Sequence, residues 1–117
     1  MDNNIKLTKE SDYLICAIYK DYLEKRKNGI PKLEAKRPGS SKRIHQDILP
    51  KWMYEDVDET CLELERAGLL NCFSADNAVL DSYLNDDAII YMENRFKNNV
   101  KSVFEYMKKI KDFIPFF

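Results

Sequence analysis

Residues 54–70, YEDVDETCLELERAGLL, decide how this chain is read. Val57, Cys61, Leu64 and Ala67 recur at spacings of 4, 3 and 3, the stripe of a helix that buries one side, so a helix is predicted over Tyr54 to Ala67. Gly68 follows where a left-handed terminating residue belongs. Beyond it, Leu69 to Ser74 and Val79 to Leu84 are two short runs around the turn-like Ala75-Asp76-Asn77, which predicts a β-hairpin. In the second run Val79, Asp81 and Tyr83 fall on one face, and Leu80, Ser82 and Leu84 on the other. Asn85 is placed to cap a last helix whose acidic start, Asp86-Asp87, suits a helix N-terminus. That helix is expected over about 86–113, loosened at Asn98-Asn99, with Pro115 just beyond.

Upstream, Lys51 to Met53 reads as a short turn. Before it, Ser41 as N-cap, Ile44, Ile48 and Leu49 as the apolar side, and Pro50 as the stop predict a second helix. Pro38-Gly39-Ser40-Ser41 interrupts a basic connector that runs from Lys32 to Arg43. A first helix is expected from Thr8 to Asn28, with Leu14, Ile18 and Tyr22 facing inward and Asn28-Gly29 as its stop.

The chain has 117 residues, 44% of them hydrophobic and 33% charged, which fits one domain, 1–117, with a single core. Its uninterrupted apolar runs are only a few residues long, far short of the roughly 20 needed to span a bilayer. The polar start, Met1 to Ile5, lacks the pattern of a secretory signal, so a cytoplasmic protein is expected. Cys16, Cys61 and Cys72 form no CxxC pair and fit a reducing compartment.

The order helix, basic connector, helix, turn, helix, hairpin, long C-terminal helix resembles a winged helix. Val57, Cys61, Leu64 and Gly68-Leu69-Leu70 are similar to the third helix and first wing strand of bacterial winged-helix regulators, where an aliphatic stripe leads into "Gly-Leu-Ile". Residues 83–94, from Tyr83 to Asn94, are similar to their exit from the wing, usually "Leu-Thr-x-x-Gly-x-x-Tyr-Leu-Glu", with Asn85 where Thr is usual and Ala88 where Gly is usual. The likeness covers roughly residues 41–95. The ending Lys109-Ile110-Lys111-Asp112-Phe113-Ile114 resembles small winged-helix proteins of Gram-positive bacteria and their phages. The resemblance implies an α+β, mainly helical fold with three helices, a small hairpin wing and a long C-terminal helix. It also implies regulation of transcription through DNA.

Composition offers little for catalysis. Three glycines, Gly29, Gly39 and Gly68, build no phosphate loop, and His45 is the single histidine. No catalytic residue, metal site or cofactor is expected, and the cysteines read as small buried hydrophobes. Asp86-Asp87 is explained by capping, and Trp52 is read as closing the core beneath its turn ahead of anchoring a partner.

The formal net charge of −1 is a cancellation: residues 1–53 sum to +5, 54–94 to −10 and 95–117 to +4. Aligned with the regulators, the positions that would face the major groove are Glu55, Asp56, Asp58 and Glu59, all acidic. Four carboxylates there repel a phosphate backbone, and Ala67 to Asn94 contains no Lys or Arg to serve a minor-groove wing. The expected role is therefore a non-catalytic regulatory module whose acidic third helix and wing dock on a basic protein surface. The alternative is a DNA-binding transcriptional regulator that docks unconventionally through the basic 25–43 segment, above all Lys36, Arg37, Lys42 and Arg43. In the C-terminal helix, Phe96, Val100, Val103, Met107, Ile110 and Ile114 follow spacings of 4, 3, 4, 3 and 4. This seam packs on its own domain or, through Val100, Val103, Met107 and Ile110, forms a homodimer helix. An interfacial membrane helix over Val103 to Phe117, anchored by Ile114 to Phe117, ranks lowest.

Overall fold

The computed structural model of the chain describes residues 5–115 and 117. Residues 1–4, most of the segment used to judge a secretory signal, and Phe116 of the C-terminal segment lie outside the described residues. Along the rest the order is α1 (Lys9–Lys27), α2 (Lys32–Ala35), α3 (Ser41–Asp47), α4 (Tyr54–Arg66), β1 (Leu70–Ala75), β2 (Ala78–Leu84), α5 (Asp86–Phe96) and α6 (Val100–Lys111). The class is α+β and mainly helical, as expected. The connector contributes the extra one-turn helix α2, and the expected long C-terminal helix is two helices.

α1 is the axis of the core. Thr8 starts it, its Oγ1 accepting from Ser11 N–H at 3.0 Å, and Gly29 takes φ +81° just beyond its end. Every residue from Leu14 to Tyr19 is buried, because α2, α4, α5 and α6 all pack on this helix. A one-sided apolar stripe was the expectation. The broader burial means that a truncation such as Ile15→Ala costs about 2–5 kcal/mol.

The hairpin corrects the predicted alternation. β1 and β2 are antiparallel, joined through Asp76 (φ 53°) and Asn77 (φ 64°), two positive-φ residues that match the right-handed twist of the strands. Phe73 pairs with Asp81 but Ser74 pairs with Val79, so Leu80 is the extra residue of a bulge. The bulge rotates Val79 to the core side with Ser82 and Leu84, and leaves Leu80 and Tyr83 exposed. Ser82 is buried because its Oγ donates to Gly39 C=O at 2.6 Å. With Leu84 N–H donating to Lys36 C=O at 2.8 Å, the connector runs along the outer edge of β2.

The break between α5 and α6 is the main departure from expectation. Lys97 adopts φ 56°, ψ −145°, which no helix allows, and Asn99 then caps α6 by accepting from Ser102 N–H at 3.1 Å. Tyr19 Oη holds the elbow by donating to Lys97 C=O at 2.6 Å. Turned back, α6 lays Val103, Met107 and Ile110 against α1, where they are buried, while Val100 is half-buried. The seam offered for a homodimer thus belongs to this chain's own core. The aromatic side of the suggested interfacial helix stays at the surface, with Phe104, Phe113 and Phe117 exposed, while Val103, Met107, Ile110 and Ile114 are buried in the core.

Asp12 of α1 ties α1, α5 and α6 together. Arg95 of α5 grips it with Nη1 at 2.7 Å and Nη2 at 3.3 Å, and Tyr106 of α6 donates its hydroxyl to the same carboxylate. The guanidinium sits among the rings of Tyr91, Phe96 and Tyr106, 4.8 to 5.5 Å from their centroids. Burial disfavours its charge, but the hydrogen bonds and charge of Asp12 outweigh that, and the Arg95 pKa is raised.

Candidate functional site

α4 begins at Tyr54 without a side-chain cap, and Glu55 and Asp56 in its first turn offset the exposed N–H groups, each worth about 0.3–1 kcal/mol. Val57, Thr60, Cys61 and Leu64 face the core, which leaves Glu55 and Glu59 exposed and Asp56 half-buried. Glu59 makes a single exposed ion pair, 3.2 Å to Arg66.

Asp58 has a different job. Its Oδ1 accepts from Ser41 Oγ at 2.6 Å and from Val79 N–H at 2.9 Å, so this carboxylate locks the start of α3 and the hairpin onto α4. Of the four acidic residues proposed for partner contact, Asp58 is therefore turned inward, and Glu55, Asp56 and Glu59 remain on the surface. Two more acids of α4 are engaged within the chain, Glu65 while still exposed. Glu63 Oε1 accepts from Ser11 Oγ at 2.6 Å and Thr8 Oγ1 at 3.1 Å, and Glu65 Oε2 accepts from Cys72 N–H at 3.1 Å.

The four basic residues do not form one cationic surface. Lys36 is 3.4 Å from Asp86, Arg37 3.7 Å from Asp81 and Arg43 3.6 Å from Asp47, while Lys42 is exposed on α3. Lys36 and Arg37 thus offset the acids of the hairpin and of α5.

Two features escaped the sequence. The outer face of the hairpin carries Phe73 and Tyr83 in a groove of about 400 Å³, framed by Glu65, Asp81 and Arg37. Phe73 is 66% exposed and Tyr83 39%. The second feature is a basic groove at the elbow, lined by lysines of α1 and α6.

The nucleophile candidates are poorly placed for chemistry. Cys16 and Cys61 are buried, and burial pushes both thiols well above the ordinary range; Cys72 is half-buried and pushed up to about 12, by burial first and then by Glu65 and Asp58. His45 Nε2 is 2.7 Å from Trp52 C=O, which fixes the tautomer that donates there. Trp52 itself is 2% exposed and packs on Tyr13 and Phe117. No helix of the described residues is long and apolar enough to cross a membrane. Comparisons with family models, with curated proteins and with solved structures find no match to this chain.

Proposed function

We propose that the chain is a non-catalytic winged-helix module of the cytoplasm that docks through the outer faces of α4 and the hairpin onto a basic protein surface. The winged-helix reading is supported by α3 and α4 joined by a short turn, the hairpin that leaves α4 directly, and the connector beside β2. The observation that carries the docking reading is the surface of α4, where Glu55, Asp56 and Glu59 are left outward after Asp58 and Glu63 have been engaged by Ser41, Val79 and Ser11. Phe73 and Tyr83, in the hairpin groove with Glu65 and Asp81, offer aromatic anchors of the kind that dominate protein interfaces, and the carboxylates select a cationic partner. Duplex DNA fits this face poorly, because residues 54–94 hold one cation, Arg66, against 11 acids.

A photo-reactive amino acid at position 59 captures the partner in cells, and calorimetry then compares the wild type with the neutralised variant Glu55→Gln/Asp56→Asn/Glu59→Gln. Close interfacial charge pairs couple by about 1.5 kcal/mol or more, so the variant is expected to bind at least about tenfold more weakly. Equal affinity for the captured partner rejects the reading. Tight binding of duplex DNA at low salt that is lost with Lys42→Ala/Arg43→Ala replaces it with the DNA-binding alternative.

A further inference from the structure

The sequence spreads its basic residues along α1, the connector and α6. The elbow at Lys97 gathers some of them. Where α6 turns back on α1, Lys20, Lys27 and Lys101 line a groove of about 720 Å³ together with Asn98, Asn99 and Phe104. No carboxylate lines it, although Lys20 pairs with Glu24 at 3.2 Å and an adjoining groove that shares Lys20 and Phe104 is lined by Asp21, Glu24 and Asp47. The groove is held open by the core, since Tyr19 Oη fixes Lys97 C=O at 2.6 Å.

Its neighbour matters as much. A second groove of about 400 Å³ shares Lys27 and Asn98 with the first and adds Arg26, Lys32 and Tyr22, with Glu93 as its one acid. The two form a continuous cationic track across the end of α1. Phe104 gives the track a selective element. It is 46% exposed, with Lys20 Nζ 5.9 Å and Lys108 Nζ 5.1 Å from its ring centroid.

We propose that this track binds single-stranded nucleic acid, with Lys20, Lys27 and Lys101 meeting successive phosphates and a base stacked on Phe104. A base that displaces one ammonium from the ring gains more than it costs, because stacking exceeds an exposed cation–π contact, and the freed lysine is then available to a phosphate. A duplex hides its base faces and would leave Phe104 unused. The first turn of α6 adds little, as Asn99 already caps it. The surface is separate from the outward acids of α4, and neither groove is lined by a residue of α4 or the hairpin.

Fluorescence anisotropy with a labelled oligothymidylate of about 12 nucleotides tests this on the full chain. With three phosphates neutralised, log affinity against log salt should fall with a slope of about −2, and each lysine changed to Gln should reduce that slope by about 0.7. Phe104→Ala should weaken binding about tenfold, and Phe104→Tyr should restore it. The neutralised α4 variant should bind the oligonucleotide at least as well as the wild type, which keeps this test independent of protein docking. The proposal is overturned by no binding at low salt, by a Lys20→Gln/Lys27→Gln/Lys101→Gln variant that binds like the wild type, by a duplex that binds as tightly as the single strand, or by a Phe104→Ala variant with unchanged affinity.

Discussion

Asp58→Ala separates fold from surface on a single helix. In the folded chain the Asp58 carboxylate receives Val79 N–H at 2.9 Å and Ser41 Oγ at 2.6 Å, and both donors belong to residues that are at most 1% exposed. Hydrogen bonds to a charged acceptor contribute about 1.5–3 kcal/mol each, and a buried donor left without its acceptor costs about 1–3 kcal/mol. Ser41 Oγ has a second acceptor within reach, Val79 C=O at 3.3 Å, so most of the loss falls on Val79 N–H. The net cost is about 3 kcal/mol, or about 12 °C in Tm for a chain of 117 residues at about 4 °C per kcal/mol. Glu59→Ala, one residue along, breaks only an ion pair whose side chains are 60% and 63% exposed, worth at most about 1 kcal/mol. Thermal unfolding followed by circular dichroism should place Asp58→Ala far below Glu59→Ala, with Asp58→Asn between them because its amide oxygen can still accept from both donors but without the charge that strengthens the bonds. If Asp58→Ala melts within about 2 °C of Glu59→Ala, the clamp does not carry the load assigned to it here.

The Asp12 and Arg95 pair should show strong coupling. Asp12→Ala alone strands a half-buried guanidinium and costs about 3 kcal/mol, whereas adding Arg95→Met recovers about half of it, so additive losses in urea unfolding refute the bolt. Lys97→Gly should stabilise the chain by about 1 kcal/mol, since a side chain at φ 56° is strained and glycine is not; a lower Tm would show that the elbow needs that side chain. Tyr19 and Tyr106 are both pushed up to about 12 from 10, chiefly by burial. The unfolded chain therefore loses these protons first, and the stability they contribute is complete below pH 10 and is lost as pH rises through 12. Tyr106→Phe should flatten the fall in stability over that window, and an unchanged pH profile would refute the linkage.

What the sequence revealed was local, and what it concealed was long-range. Thr8, Asn85 and Gly68 mark element ends through bonds and backbone angles within a few residues of themselves, so those ends were legible. The elbow was not. A positive φ at a lysine leaves no mark in the sequence, and the 4-3-4-3-4 spacing counted straight across the break, placing Phe96 and Val100 on one imagined helix. Leu80 misled for a related reason, because a bulge reverses the alternation after it and the residue types on both sides remain strand-like. Among the acids of α4, nothing in the local pattern distinguishes Asp58 from Glu59. The difference lies in Ser41 and Val79, 17 and 21 residues away. The basic groove was hidden in the same way, since Lys20 and Lys101 meet only after the chain turns at Lys97.

The near-zero net charge acquires a physical meaning from this arrangement. A chain of net charge −1 has almost no field of its own beyond a Debye length, about 8 Å at physiological salt, so neither a polyanion nor a basic protein is steered to it from afar. Selection must then happen in contact, where local sign and shape decide. The internal pairs sharpen that selection. Lys36 with Asp86 and Arg37 with Asp81 quench the charges nearest the boundary between connector and hairpin, leaving the surplus acids on α4 and the surplus cations at the end of α1. Lys36 and Arg37 lie beside the hairpin, so a phosphate backbone approaching them would have to compete with Asp86 and Asp81. Neutralising Asp81 and Asp86 together should release that competition, and Asp81→Asn/Asp86→Asn is expected to bind duplex more tightly than the wild type at low salt. Identical duplex titrations for the two proteins would show that these pairs do not control which surface meets nucleic acid.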